Sequence, residues 1–169
     1  MSSTPGIEYR VGDATDPEDR PVVIAHVCND IGAWGAGFVV PLGRRWPRAE
    51  AQYLDWHRSG ENFELGRVAV VKVGDDVWVA NMIAQHGIRR RRGDTPLRYD
   101  ALATCLEKLA GRVFELGAVV AMPRIGAGLA GGDWAKVSEL IEERLCGRGV
   151  KVVVYDLPRT RSENTPPKL

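Results

Sequence analysis

Two stretches of this 169-residue chain concentrate residues able to do chemistry. One runs Cys28-Asn29-Asp30-Ile31-Gly32-Ala33-Trp34-Gly35-Ala36-Gly37-Phe38. The other runs Pro123-Arg124-Ile125-Gly126-Ala127-Gly128-Leu129-Ala130-Gly131-Gly132-Asp133. Each follows a short apolar run and leads into a helical pattern. Their glycines remove side chains where backbone amides can turn inward on an anion, and a following helix start adds partial positive charge. A single glycine cluster is usually a tight turn. Two in one small domain suggest a clamp on an extended phosphate ligand. Neither is a P-loop, since no Gly-Lys-Ser/Thr follows. The first is not the dinucleotide fingerprint either, because its glycines lie too far beyond the strand and no ribose-binding acid is evident.

The elements that must hold these loops are legible as hydrophobic patterns. Val- and Ile-rich runs at 22–28, 68–73, 77–83, 118–122 and 150–155 read as buried strands, with an opening strand at 7–11 before the turn Gly12-Asp13. Gly74-Asp75-Asp76 predicts a hairpin between two of them. Leu102, Leu106, Leu109 and Val113 mark one face of a helix from Tyr99. Val137, Leu140, Ile141 and Leu145 mark another from Trp134, stopping near Gly147. Shorter helices are expected at 37–45, with Pro41 in its first turn, and at 48–57 after Pro47. Trp46, Trp56, Trp78 and Trp134 read as core or helix-packing residues. The pattern predicts a mixed sheet between helical layers, with ligands at the carboxyl ends of the strands. Residues 1–157 form one domain, and 158–169 are expected to be disordered.

Composition narrows the classes of function. At 44% hydrophobic and 27% charged residues the chain is an ordinary globular domain, and a net charge of +1 gives no global field toward nucleic acid or anionic membranes. Cys28, Cys105 and Cys146 are odd in number and lack CxxC spacing, which indicates a reducing compartment. No run reaches membrane-spanning length, and the start MSSTPG lacks signal-peptide features, so the expectation is cytoplasmic. His26 and Cys28 find no second pair at ligand spacing, and no metal is expected. The run Arg89-Arg90-Arg91-Arg92 reads first as a solvated face; alternatively it steers an anionic substrate or contacts nucleic acid.

The motifs Gly12-Asp13-Ala14-Thr15, His26-Val27-Cys28-Asn29, Gly35-Ala36-Gly37-Phe38 and Pro123-Arg124-Ile125-Gly126-Ala127-Gly128-Leu129 closely resemble those of the macro domain, in the family's order and spacing. Trp34-Gly35-Ala36-Gly37 and Met122-Pro123-Arg124-Ile125-Gly126 resemble one subgroup in particular. It includes the yeast ADP-ribose 1''-phosphate phosphatase and the human terminal ADP-ribose protein glycohydrolase. The resemblance covers residues 7–157 and implies a three-layer α/β/α fold with a mixed central sheet, binding ADP-ribose. It implies that Asp13 accepts from the adenine amino group, with the Ala14 amide on the ring, and that Asn29 bonds the distal ribose. The amides of Ala36, Gly37 and Phe38 then hold one phosphate. The segment Gly126, Ala127, Gly128, Leu129 and Ala130, entered through Pro123 and Arg124, holds the other. Leu157 lies on the adenosine side. Trp34 either covers the distal ribose or anchors the loop on the domain.

On the same resemblance, the human glycohydrolase uses a lysine nucleophile at a strand end and an aspartate in the second loop. Here Gln85 and Ala130 occupy those places, and glutamine cannot form a Schiff base. Direct attack by water on the anomeric carbon remains, with Asn29, Gln85 and Asp133 as catalytic candidates and His26 and His86 in reserve. Asp133 is also well placed to cap the helix at Trp134. The implied activity is an ADP-ribosyl hydrolase acting on protein carboxylates or on related ADP-ribose derivatives, monomeric and without cofactor. The alternatives are a non-catalytic ADP-ribose reader, and a protein that binds RNA or ADP-ribosylated DNA through the arginine loop or processes ADP-ribosylated nucleic acid.

Overall fold

A computed structural model describes residues 6–89 and 94–158. Arg90, Arg91 and Arg92, and the tail from residue 159 onward, lie outside the described residues. Among the described residues, six strands form one sheet in the order β1-β6-β5-β2-β4-β3. They are β1 (Glu8–Val11), β2 (Val22–Asn29), β3 (Val68–Gly74), β4 (Val77–Gln85), β5 (Val119–Met122) and β6 (Val152–Asp156). Only β3 runs antiparallel, joined to β4 through the predicted hairpin, where Asp76 takes a left-handed φ of 56°. β1 makes no local hairpin and pairs in parallel with β6. The carboxyl ends of β1, β2, β4, β5 and β6 therefore share one edge.

Alternation along each strand assigns its residues to two faces. Val23 and Ala25 of β2 pack with Met82, Met122 and Val154 against α3 (Tyr99–Leu116) and α4 (Trp134–Arg144). Val22 and Ile24 pack with Val79, Val153 and Tyr155 against Leu42 of α1 (Val39–Arg45) and Ala49 of α2 (Pro47–Ser59). These two cores make the three-layer α/β/α architecture with a mixed sheet.

The helices begin and end for local reasons. Pro47 opens α2 at a position whose N–H would be unpaired anyway, and Pro41 sits in the first turn of α1. Leu102, Leu106, Leu109 and Val113 are all buried, as their spacing predicts, and α3 stops at Gly117 with φ 62°. The end of α4 differs from expectation. Gly147 lies inside a short 3-10 turn (Cys146–Arg148), and the left-handed stop is Gly149 with φ 83°. The chain tightens there into i+3 bonds, Arg148 N to Leu145 O and Gly149 N to Cys146 O, so the reversal comes two residues late.

Candidate functional site

The first loop is organised by one side chain. Asn29 ends β2 and is 8% exposed. Its Nδ2 donates to Ala33 O at 2.7 Å, and its Oδ1 accepts from Ile31 N at 3.1 Å, Ala33 N at 3.0 Å and the Tyr53 hydroxyl at 2.8 Å. The oxygen is saturated, and one amide N–H remains for a ligand. A bulge between Cys28 and Asn29 sets Asn29 opposite Gln85 where a regular ladder would place Ala84. Both amides thus stand together at the strand ends. Trp34 packs edge-on against His26, with ring centroids 5.3 Å apart, and against Tyr53 at 5.4 Å. Its indole N–H is buried without a partner among the described residues and faces Gly43 of α1, where a Cβ would lie 2.8 Å away.

The second loop is closed on itself. Gly132 N donates to Gly126 O at 2.7 Å and Gly131 N to Gly128 O at 3.0 Å, with Gly126 and Gly131 both at φ 72°. Arg124 holds its entrance by a bidentate pair to Asp156 of β6, at 2.8 and 3.0 Å. That pairing raises the guanidinium pKa and lowers that of the carboxylate. The guanidinium carbon also lies 5.1 Å from the Tyr9 ring and 5.3 Å from that of Trp134. The entrance is thereby tied to β1, β6 and the start of α4. Leu129 reaches back to the first loop, since a Cβ on Gly37 would sit 3.0 Å from its Cδ1.

Between the loops lies a cavity of about 530 Å³. Asn29, Trp34, Ala36, Gly37, Phe38, Gln85, Pro123, Arg124, Gly126, Gly128, Leu129 and Ala130 line it, with His26, Cys28 and Ile88. The amides of Ala36, Gly37, Phe38, Gly126, Gly128, Leu129 and Ala130 donate to no other described residue. Unengaged N–H groups on both loops that line one largely apolar cavity suit an extended anion.

Other expected site residues fall outside this lining. Ala127 belongs to the loop, and its amide makes a long contact of 3.4 Å to Arg124 O. Asp13 sits in a turn, its Oδ1 accepting from Thr15 N and Thr15 Oγ1 at 2.8 and 2.7 Å, while Ala14 is 4% exposed, in the core. Leu157 is 72% exposed beyond β6. Asp133 is the N-cap of α4, its Oδ1 accepting from Ala135 N at 2.9 Å. Among the described residues, no carboxylate and no lysine lines the cavity, and no cluster of metal-binding side chains occurs.

A polar layer under the floor was only half visible in the sequence. His26, Cys28 and Asn81 share the strand face toward α2. His26 Nε2 meets Asn81 Oδ1 at 2.5 Å, and Asn81 Nδ2 donates to Ala49 O at 3.0 Å and Gln52 Oε1 at 2.8 Å. Asn81 was detectable as the one amide inside an apolar strand, where it must find partners. Tyr53, the bridge to Asn29, gave no such signal. Burial lowers the His26 pKa to about 4 and pushes the Cys28 thiol well up, so both are neutral near pH 7, and the thiol is no nucleophile. The unfolded chain protonates His26 before the folded one does. Stability is therefore full above about pH 6.5 and falls by roughly 3 kcal/mol as the pH drops toward 4. Thermal melts at pH 7.5, 5.5 and 4.5 should show this slope, and His26→Gln should remove that component.

No protein-family model matches the chain. It is similar to a solved macrodomain protein from Streptomyces coelicolor, at 51% identity and a TM-score of 0.79, covering 89% of this chain and 98% of that one. An ADP-ribose 1''-phosphate phosphatase from Lodderomyces elongisporus is 25% identical over 162 residues, 89% of this chain and 99% of that protein. The mouse chromodomain-helicase-DNA-binding protein 1-like is 27% identical over 170 residues, and the chain spans only 19% of its length. The two glycine loops, the sheet order and half-identity to a solved macrodomain over nearly its full length agree: the chain belongs to the macrodomain family.

Proposed function

We propose that this chain binds ADP-ribose between its two glycine loops. It then hydrolyses the bond at the anomeric carbon of the distal ribose, releasing ADP-ribose from acidic side chains of modified protein or from related derivatives. The observation that carries the reading is the pair of unengaged amide arcs, one for each phosphate, meeting at the strand end that presents Asn29 and Gln85. Asp13 Oδ2 has only a 3.9 Å ion pair with Arg45 and stays open to the adenine amino group, with Ala14 and Leu157 alongside. Water is the nucleophile. A carboxylate is a good leaving group, so an oxocarbenium-like transition state needs orientation of water more than a strong base. Gln85 Nε2 donates to Gly87 O at 3.0 Å, which leaves Oε1 to accept from that water.

The absence of a carboxylate or lysine from the lining favours a second reading, a non-catalytic ADP-ribose reader. Calorimetric titration with ADP-ribose, paired with release of ADP-ribose from glutamate-modified protein, separates the two. Gln85→Ala should lower kcat on the order of 100-fold, the scale of a misplaced reactant, with Kd little changed. Asp133→Ala should cost about 1 kcal/mol of stability as a lost cap and leave turnover intact. Tight binding without turnover in the wild type would establish the reader, and no binding would end both readings.

A further inference from the structure

We infer that Asp30, steadied by His86, is a positioning residue that sets the side-chain amide of Gln85. This rests on the hydrolase reading, in which Gln85 orients the attacking water. Asp30 and His86 follow Asn29 and Gln85 directly, on the neighbouring strands β2 and β4. Asp30 N donates to Gln85 O at 2.9 Å, locking the two strand ends together. Its carboxylate is 17% exposed and accepts two bonds, from Gly87 N at 2.8 Å on Oδ1 and from His86 Nδ1 at 2.7 Å on Oδ2. A carboxylate only accepts, so His86 Nδ1 carries the proton. The His86 backbone is fixed in turn, its N–H donating to Pro96 O at 2.8 Å.

The consequence passes through Gly87. With φ 64°, its peptide takes a conformation that few other residues adopt, and Asp30 holds its N–H. The Gly87 carbonyl accepts from Gln85 Nε2, and a carbonyl can only accept. The Gln85 amide therefore has one orientation, its NH₂ toward Gly87 and its Oε1 turned away. Without that anchor the amide would flip, offering the cavity a donor about as often as an acceptor. Water needs the acceptor. His86 is mostly exposed, so its bond to Asp30 adds little to stability, and the effect of losing Asp30 should appear in turnover.

The test uses the full chain. Asp30→Ala should lower kcat on the order of 100-fold, the scale of a misplaced catalytic group, with KM within about two-fold. Asp30→Asn keeps an oxygen for Gly87 N–H and should recover kcat to within a few-fold of wild type. Nitrogen-15 spectra supply a readout independent of turnover. The two Gln85 side-chain amide protons should be well separated in the wild type and collapse toward free-glutamine values in Asp30→Ala. An unchanged kcat or an unmoved amide signal in Asp30→Ala would overturn the inference. So would a loss in Asp30→Asn equal to that in Asp30→Ala, because the charge and not the acceptor would then matter. A wild type that binds without turnover overturns the hydrolase reading alone, and the amide signal still decides whether Asp30 sets Gln85.

Discussion

Replacing Asn29 with alanine should weaken ADP-ribose binding on the order of 100-fold and lower stability by roughly 3 kcal/mol, because one side chain holds the whole first loop. The substitution strands Ile31 N, Ala33 N and Ala33 O, and each partly buried orphan costs about 1 kcal/mol or more. The Tyr53 hydroxyl fares better, since it keeps the Asn29 carbonyl at 2.7 Å. With the turn gone, the arc from Ala36 to Phe38 is no longer fixed, and a ligand must order it on binding. Tyr53→Phe removes only one of three donors to Oδ1, so it should cost about 1 kcal/mol and a few-fold in affinity. Thermal melts and calorimetric titration of both variants check this. Lost binding with an unchanged melting temperature in Asn29→Ala would instead show that Asn29 acts by direct contact alone.

Gly132→Ala should have an effect of similar size from the other side of the cavity. A Cβ there would lie 2.6 Å from the Gly126 carbonyl oxygen and 2.3 Å from Leu97 Cδ2. Leu97 is 3% exposed and has little room to retreat, while the carbonyl is the acceptor that closes the loop. Something must shift, and the 2.7 Å bond from Gly132 N is the weakest restraint. Overpacking of this kind costs about 1 to 3 kcal/mol, and opening the loop splays the amides of Gly126, Gly128, Leu129 and Ala130. A loss of affinity on the order of 100-fold corresponds to about 2.7 kcal/mol. Gly128→Ala is the control, because no atom lies within 4 Å of its Cβ and its φ is not in the left-handed region. Its melting temperature should match wild type. Equal destabilisation by both would refute the steric account.

The contrast between those glycines shows where the sequence stopped being informative. It marked both loops, their order along the chain and the strands that deliver them, because glycine clusters and Val/Ile runs are local signals. It could not rank Gly128 against Gly132, since their difference lies in Leu97 and in the Gly126 carbonyl, brought close only by the fold. Asp133 illustrates the reverse case. Its position before a helical pattern already indicated a cap, and the Ala135 bond is that cap. Asp30 and His86 stood in plain view beside Asn29 and Gln85. Their pairing depends on which strands neighbour one another and on the bulge at Cys28, and a parallel register has no local signature. Tyr53 was invisible for another reason: a buried aromatic on a helix face looks like core until its hydroxyl is seen to have a task.

The pairing of β1 with β6 has a kinetic meaning. Glu8 lies beside Val153, so β1, made before the other strands of this sheet, waits for β6 before it has a partner. The Arg124–Asp156 tie and the turn at Asp13 both depend on that late closure. Such long-range parallel pairing folds slowly, because loop entropy is lost before any contact repays it. A nascent chain lacking β6 could collapse its β2–β4 centre and still leave β1 and the entrance to the second loop unheld. This domain should therefore acquire its ligand-binding form after its helices and central strands, as the final event of folding.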